Sequence, residues 1–344
     1  MRIVNLGRGA MAAITLVATY MASPARGQAP TRSVVPIREV DIQPEGTPRY
    51  VIRVVVNGVA MDAGLDTGSV GLRLLPRAVA KAGIVATGPS YTETYGSGVV
   101  LDGPNAAASV QIGALQHRIG LQAVHDVGCK AGGDGCNAHP GTLDPAQYGL
   151  MGLGHPGQGF PAIIGVRLAP GNVEHPLKGL GAQRWIIHLP PRQGGGGALI
   201  LNPNEDDVAG FVPLATASAP RGAVNGCVMI ARPDARRICG GILWDTGAAS
   251  ITVKNAPRPP AWVPNAIAEM HFASNGGTPG PALAFRTGDR AHGSEARFEP
   301  ANTTGTMIQA GVMPFYAYDM LFDANGGIAI RPTADQSGLP RAIR

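Results

Sequence analysis

The apolar positions of this chain fall in short runs rather than in long helical stripes. Tyr50–Val56, Ala106–Ile112, Arg118–Val124, Trp185–Leu189 and Ala198–Leu201 are rich in Val, Ile and Leu and are separated by Gly, Pro and Asn. That pattern predicts β-strands closed by turns. Only two segments suggest a helix, Pro76–Ala82 and Pro314–Met320, each opened by a proline. The expected fold class is all-β.

The first 29 residues follow a different pattern. Arg2 and Arg8 lead into an apolar run from Ala10 to Ala22, and the small-residue segment Ala22-Ser23-Pro24-Ala25-Arg26-Gly27-Gln28-Ala29 follows. This predicts an export signal cleaved after Ala25 or Ala29. The run is shorter than the roughly 20 apolar residues a membrane span needs, and no later stretch approaches that length. The sequence therefore predicts a periplasmic or secreted protein with no stable membrane span once the signal is removed.

Composition supports a folded chain. Hydrophobic residues make up 44% and charged residues 15%, too apolar for a disordered polymer and enough for a sizeable core. The 49 Gly and 30 Pro favour turns. A length of 344 residues suggests two lobes. The expected division is 30–193 and 194–334, with the glycine tract Gly194–Gly197 at the boundary and a flexible tail over 335–344. The formal charge of +5 owes three positive charges to Arg2, Arg8 and Arg26 in the signal. Nucleic-acid binding has little support on that balance.

An oxidising compartment permits disulfides. Cys129 and Cys136 close a glycine-rich loop, and Cys227 and Cys239 flank Ala231-Arg232-Pro233-Asp234-Ala235-Arg236 at an expected hairpin turn, so two local pairings are predicted. The chain contains neither C-x-x-C nor H-E-x-x-H, and no metal or cofactor is expected. Gly152–Gly157 fits G-x-G-x-x-G, but Pro156 and Pro161 oppose the helix that a dinucleotide site requires.

The chemistry lies in a repeated element. Ala63-Gly64-Leu65-Asp66-Thr67-Gly68-Ser69 and Ile242-Leu243-Trp244-Asp245-Thr246-Gly247-Ala248 each end an apolar strand on D-T-G, 179 residues apart. Two Asp side chains at hydrogen-bonding distance cannot both ionise cheaply, so they share a proton, leaving one base and one acid. Such a pair can activate a water against an amide carbonyl. Gly68 and Gly247 let the backbone turn beneath each carboxylate and present N–H groups to it. Thr67 and Thr246 can each bond across to the opposite loop.

These motifs resemble the pepsin-like aspartic proteases, and the resemblance extends from about Tyr50 to Arg331. Tyr95-Gly96-Ser97-Gly98 is similar to the tip of that family's β-hairpin flap. Tyr148–Gly154 looks like the segment that threads under the first catalytic loop. Trp185–Leu189 and Gly197–Leu214 resemble the interlobe stretch, and Gly311, Phe322–Asn325 and Ile328–Ile330 resemble the C-terminal strands. The resemblance implies a bilobal fold with an interlobe cleft and a monomeric endopeptidase acting on an extended peptide or protein. Asp66 and Asp245 would then be catalytic, and Tyr95, Gly96 and Ser97 would cover the substrate. A pepsin-fold envelope protein that binds peptide or glycan with little or no turnover is the alternative.

Three positions depart from the family pattern. Arg73 stands where a Trp usually bonds the flap Tyr. Ala248 lacks the hydroxyl that would reach Asp245, and the strand before Gly311 reads Ile308-Gln309-Ala310, more polar than usual.

Overall fold

The structure, a computed structural model, describes residues 30–43, 46–130, 148–152, 157–275, 279–299, 305–333 and 339–343. Residues 1–29, where an export signal is expected, Cys136 and Leu153 to Pro156 lie outside the described residues. The described chain is mostly β, arranged in a 14-stranded and an 8-stranded sheet. All five runs read as strands from the sequence lie within or largely overlap strands, and Pro76–Lys81 is helical. Pro314–Met320 is different. It begins as a 3-10 turn, Met313–Tyr316, and then enters the strand Tyr318–Asp323. That strand is hydrogen-bonded on both sides, to Arg184–His188 and to Ile328–Pro332, so ladder pairing replaces the helix.

The strand Ser33–Ile42 joins two parts of the larger sheet. Its first half pairs with Gly197–Leu201 and its second half with Thr47–Val56. The glycine tract turns the chain within this sheet, between the antiparallel strands Arg184–His188 and Gly197–Leu201. The chain moves to the smaller sheet after Val212–Pro213, and Tyr318–Asp323 and Ile328–Pro332 later return to the larger one. The segment expected as a flexible tail contains a strand, Arg341–Ile343, antiparallel to Pro279–Arg286. Its backbone groups complete the edge of the smaller sheet.

One three-strand unit occurs twice. In the larger sheet, Val59–Asp66 leads through the first D-T-G loop to Val70–Leu74, and Ala162–Val166 lies between them, parallel to the first and antiparallel to the second. In the smaller sheet, Ile238–Trp244 leads through the second loop to Ile251–Lys254, with Met307–Gly311 inserted in the same two senses. The place beside the first loop thus belongs to Ala162–Val166, which corrects the sequence expectation of Tyr148–Gly154. Both segments carry two apolar residues before a glycine, and only the pairing distinguishes them. Leu150 instead forms an isolated bridge with Phe160.

The inserted strands explain two glycines. A Cβ on Gly165 would lie 2.6 Å from the Ser69 carbonyl carbon. Gly311 has φ +62°, and a Cβ there would lie 2.5 Å from the Ser250 carbonyl oxygen. Beneath the loops the core is aromatic. Trp244 packs on Phe272 at 5.1 Å and on Phe315 at 5.4 Å, while Trp185 stacks on Phe322 at 5.8 Å.

Gly311→Ala should combine left-handed strain with backbone overlap and destabilise the fold by roughly 2–4 kcal/mol in denaturant unfolding. Gly83→Ala, also at positive φ but in open space, should cost only about 1 kcal/mol. Equal losses would mean that the Gly311 contact does not limit the fold.

Candidate active site

The two D-T-G loops meet head to head. Thr67 N–H donates to Thr246 Oγ1 at 3.1 Å, and Thr246 N–H donates to Thr67 Oγ1 at 3.0 Å. Each hydroxyl donates in turn to the carbonyl before the opposite aspartate: Thr67 to Trp244 O at 2.8 Å, and Thr246 to Leu65 O at 2.6 Å. Both threonines are 1% exposed, so these polar groups depend on one another for partners. This reciprocal bonding positions Asp66 and Asp245.

Each carboxylate also rests on the opposite glycine. A Cβ on Gly247 would sit 2.7 Å from Asp66 Oδ1, and one on Gly68 would overlap the Asp245 carboxylate. Within each loop the glycine N–H donates to its own aspartate, Gly68 to Asp66 Oδ1 at 2.7 Å and Gly247 to Asp245 Oδ1 at 2.8 Å. Ser69 Oγ donates to Asp66 Oδ2 at 2.5 Å.

On the second side, Ala248 offers no hydroxyl, and the donor comes from elsewhere. Gln309 Nε2, on the inserted strand Met307–Gly311, donates to Asp245 Oδ2. The two aspartates therefore each accept a side-chain donor, from different sequence positions. The signal was present in the sequence as a lone polar residue in an apolar strand ending on glycine, but its target depends on the strand insertion.

Burial, followed by the nearby charge of Asp66, pushes the Asp245 carboxyl up to about 7, against the opposing hydrogen bonds from Gln309 and Gly247. Between the ordinary value of 3.8 and about 7 the folded protein holds a proton on Asp245 that the unfolded chain has released. Stability from this group therefore falls as pH rises through that window.

The hairpin expected to cover a substrate is formed by Ala86–Thr94 and Val99–Ile112, with Tyr95–Gly98 as its turn and Gly98 N–H donating to Tyr95 O at 2.9 Å. Arg73 is 1% exposed and holds the turn by a route open to a cation. Its guanidinium lies 5.8 Å from the centre of the Tyr95 ring and bonds Glu93 at 2.7 Å, Gln122 at 3.1 Å and Val70 O at 2.8 Å. The Tyr95 hydroxyl is buried with no hydrogen-bond partner among the described residues.

A cleft of about 730 Å³ brings Asp66, Asp245, Ser69, Ala248, Gln309 and the hairpin-turn residues Tyr95, Gly96 and Ser97 onto one surface. Thr67 and Thr246 sit behind it. Two arginines that sequence reasoning did not single out, Arg49 and Arg167, also line it. Burial pulls both guanidinium groups down from their usual value, while Asp245 and Asp66 oppose that shift.

Among the described residues no group of three or more His, Cys, Asp or Glu could hold a metal ion. Cys227 and Cys239 face each other across Val224–Ile230 and Ile238–Trp244 and form a disulfide. The expected partner of Cys129, Cys136, lies outside the described residues.

Gln309→Leu should remove a donor that favours the charged form of Asp245 and raise its pKa by about one unit, read by carbon NMR titration of the labelled carboxyl. Gln309→Glu should raise it further through like charge. An unchanged titration in Gln309→Leu would remove the amide from the account. No protein-family model matches this chain and a search of curated proteins found no match, so a functional reading rests on these residues and their geometry.

Proposed function

We propose that the protein is an exported aspartic endopeptidase of pepsin-like bilobal architecture, hydrolysing peptide bonds of an extended chain held in the cleft. The observation that carries this reading is the pair of reciprocally bonded D-T-G loops, with two buried aspartates facing one cleft. The Cys227–Cys239 disulfide is compatible with an oxidising compartment. No helix among the described residues is long and apolar enough to cross a membrane.

In this reading a water between the carboxylates gives a proton to Asp66 as its oxygen attacks the amide carbon. The Asp245 proton passes to the carbonyl oxygen, giving a neutral tetrahedral diol. Collapse then returns one diol proton to Asp245, and the proton on Asp66 moves to the leaving nitrogen, so both groups regain their starting states. The flap closes over the substrate, with Tyr95 at its turn lining the cleft.

Asp66→Asn and Asp245→Asn should each lower cleavage of an unfolded protein by at least about a thousandfold, with the fold intact by circular dichroism. The wild type should be active in acid, lose activity as pH rises through about 7, and be blocked by pepstatin. Retained cleavage in either Asn variant would refute the dyad. Peptide binding without turnover in the wild type would return the non-catalytic pepsin-fold reading.

A further inference from the structure

The cleft is rich in positive charge close to the two aspartates. Arg49 is 9% exposed, yet it lines the cleft. Its described partners are two carbonyls, Met151 O at 2.9 Å and Pro48 O at 3.3 Å. Arg167 follows the inserted strand Ala162–Val166, and its described partners are also carbonyls, Arg221 O at 2.7 Å and Gly68 O at 3.4 Å. Lys254 and Arg297 line the same cleft, Arg297 being paired with Glu299 at 2.6 Å.

The acids on this surface are already engaged. Asp66 accepts from Gly68 N–H and Ser69 Oγ, and Asp245 accepts from Gly247 N–H and Gln309 Nε2. Glu93 is ion-paired with Arg73 at 2.7 Å. Arg49 is buried and Arg167 half-buried, and among the described residues each is hydrogen-bonded to carbonyls rather than to a carboxylate; a guanidinium so placed lacks a full counter-charge, and its planar fork matches a carboxylate in two-point contact.

We propose that the cleft selects peptides with acidic side chains close to the cleaved bond, with Arg49 and Arg167 supplying the counter-charges. This substrate class rests on the endopeptidase reading of the same cleft. It separates this site from one lined only by apolar pockets, where discrimination follows side-chain volume. The preference weakens with added salt to the extent that the peptide side chains stay partly solvated.

The test uses peptides identical except for Glu or Gln at the positions flanking the cleaved bond, compared by kcat/KM. Glu peptides should be preferred by roughly tenfold or more. Arg49→Gln and Arg167→Gln should each compress that ratio, and Arg49→Lys and Arg167→Lys should restore it in part. Equal or better cleavage of the Gln peptides by the wild type would overturn the proposal.

A second arm separates this inference from the protease reading. The same fluorescent peptides are titrated into Asp245→Asn protein by anisotropy. If nothing is cleaved by the wild type but the Glu peptide binds at least several-fold tighter, the endopeptidase reading fails and the acidic preference stands. Equal binding of the two peptides would overturn the preference.

Discussion

The site depends on two threonine hydroxyls buried between two sheets. Both are almost fully buried, and among the described residues each donates to and accepts from the opposite half of the site. An unsatisfied buried hydroxyl or amide costs on the order of 1–3 kcal/mol, so separating the loops would leave several such groups unpaired at once. The carboxylates are placed as a consequence, each against the other loop's glycine, where a methyl group would collide. Their proximity and burial then raise Asp245. The acid–base asymmetry that the proposed chemistry needs thus follows from packing and reciprocal hydrogen bonding.

The two carboxylates each gain a side-chain donor, by different routes. Asp66 receives its side-chain donor from Ser69, three residues along the same loop. Asp245 receives its donor from Gln309, 64 residues away in sequence and brought close by the parallel pairing of Met307–Gly311 with Ile238–Trp244. An amide on the neighbouring strand thus supplies the second carboxylate with a donor where the loop itself offers only Ala248. Arg73 makes a comparable substitution, holding Tyr95 through its ring face and Glu93 through charge.

The parts legible in the sequence were those set by local pattern. Short Val- and Ile-rich runs gave strands, proline gave the helix start at Pro76, and cysteines flanking a hairpin turn gave the Cys227–Cys239 pairing. The duplicated D-T-G pointed to a paired site because both copies end apolar strands. What could not be read depended on pairing between distant strands. Tyr148–Gly154 and Ala162–Val166 share the same apolar-apolar-Gly signal, and only the ladder with Val59–Asp66 and Val70–Leu74 selects the second. Gln309 stood out as polar but its partner did not, and Ala248 suggested a missing donor that the neighbouring strand supplies. Arg49 and Arg167 carried no motif, and their place beside the cleft emerges only from the fold.

The central claim is that the reciprocal loops hold a single proton on the aspartate pair at a pH where ordinary carboxyl groups are ionised. Infrared difference spectroscopy of the isotope-labelled protein across a pH titration tests it without requiring a substrate. The account predicts a protonated-carboxyl band that persists to near-neutral pH, disappears through about pH 7, and is absent at near-neutral pH in Asp245→Asn. Loss of that band at the ordinary aspartate value near 3.8 would contradict the account.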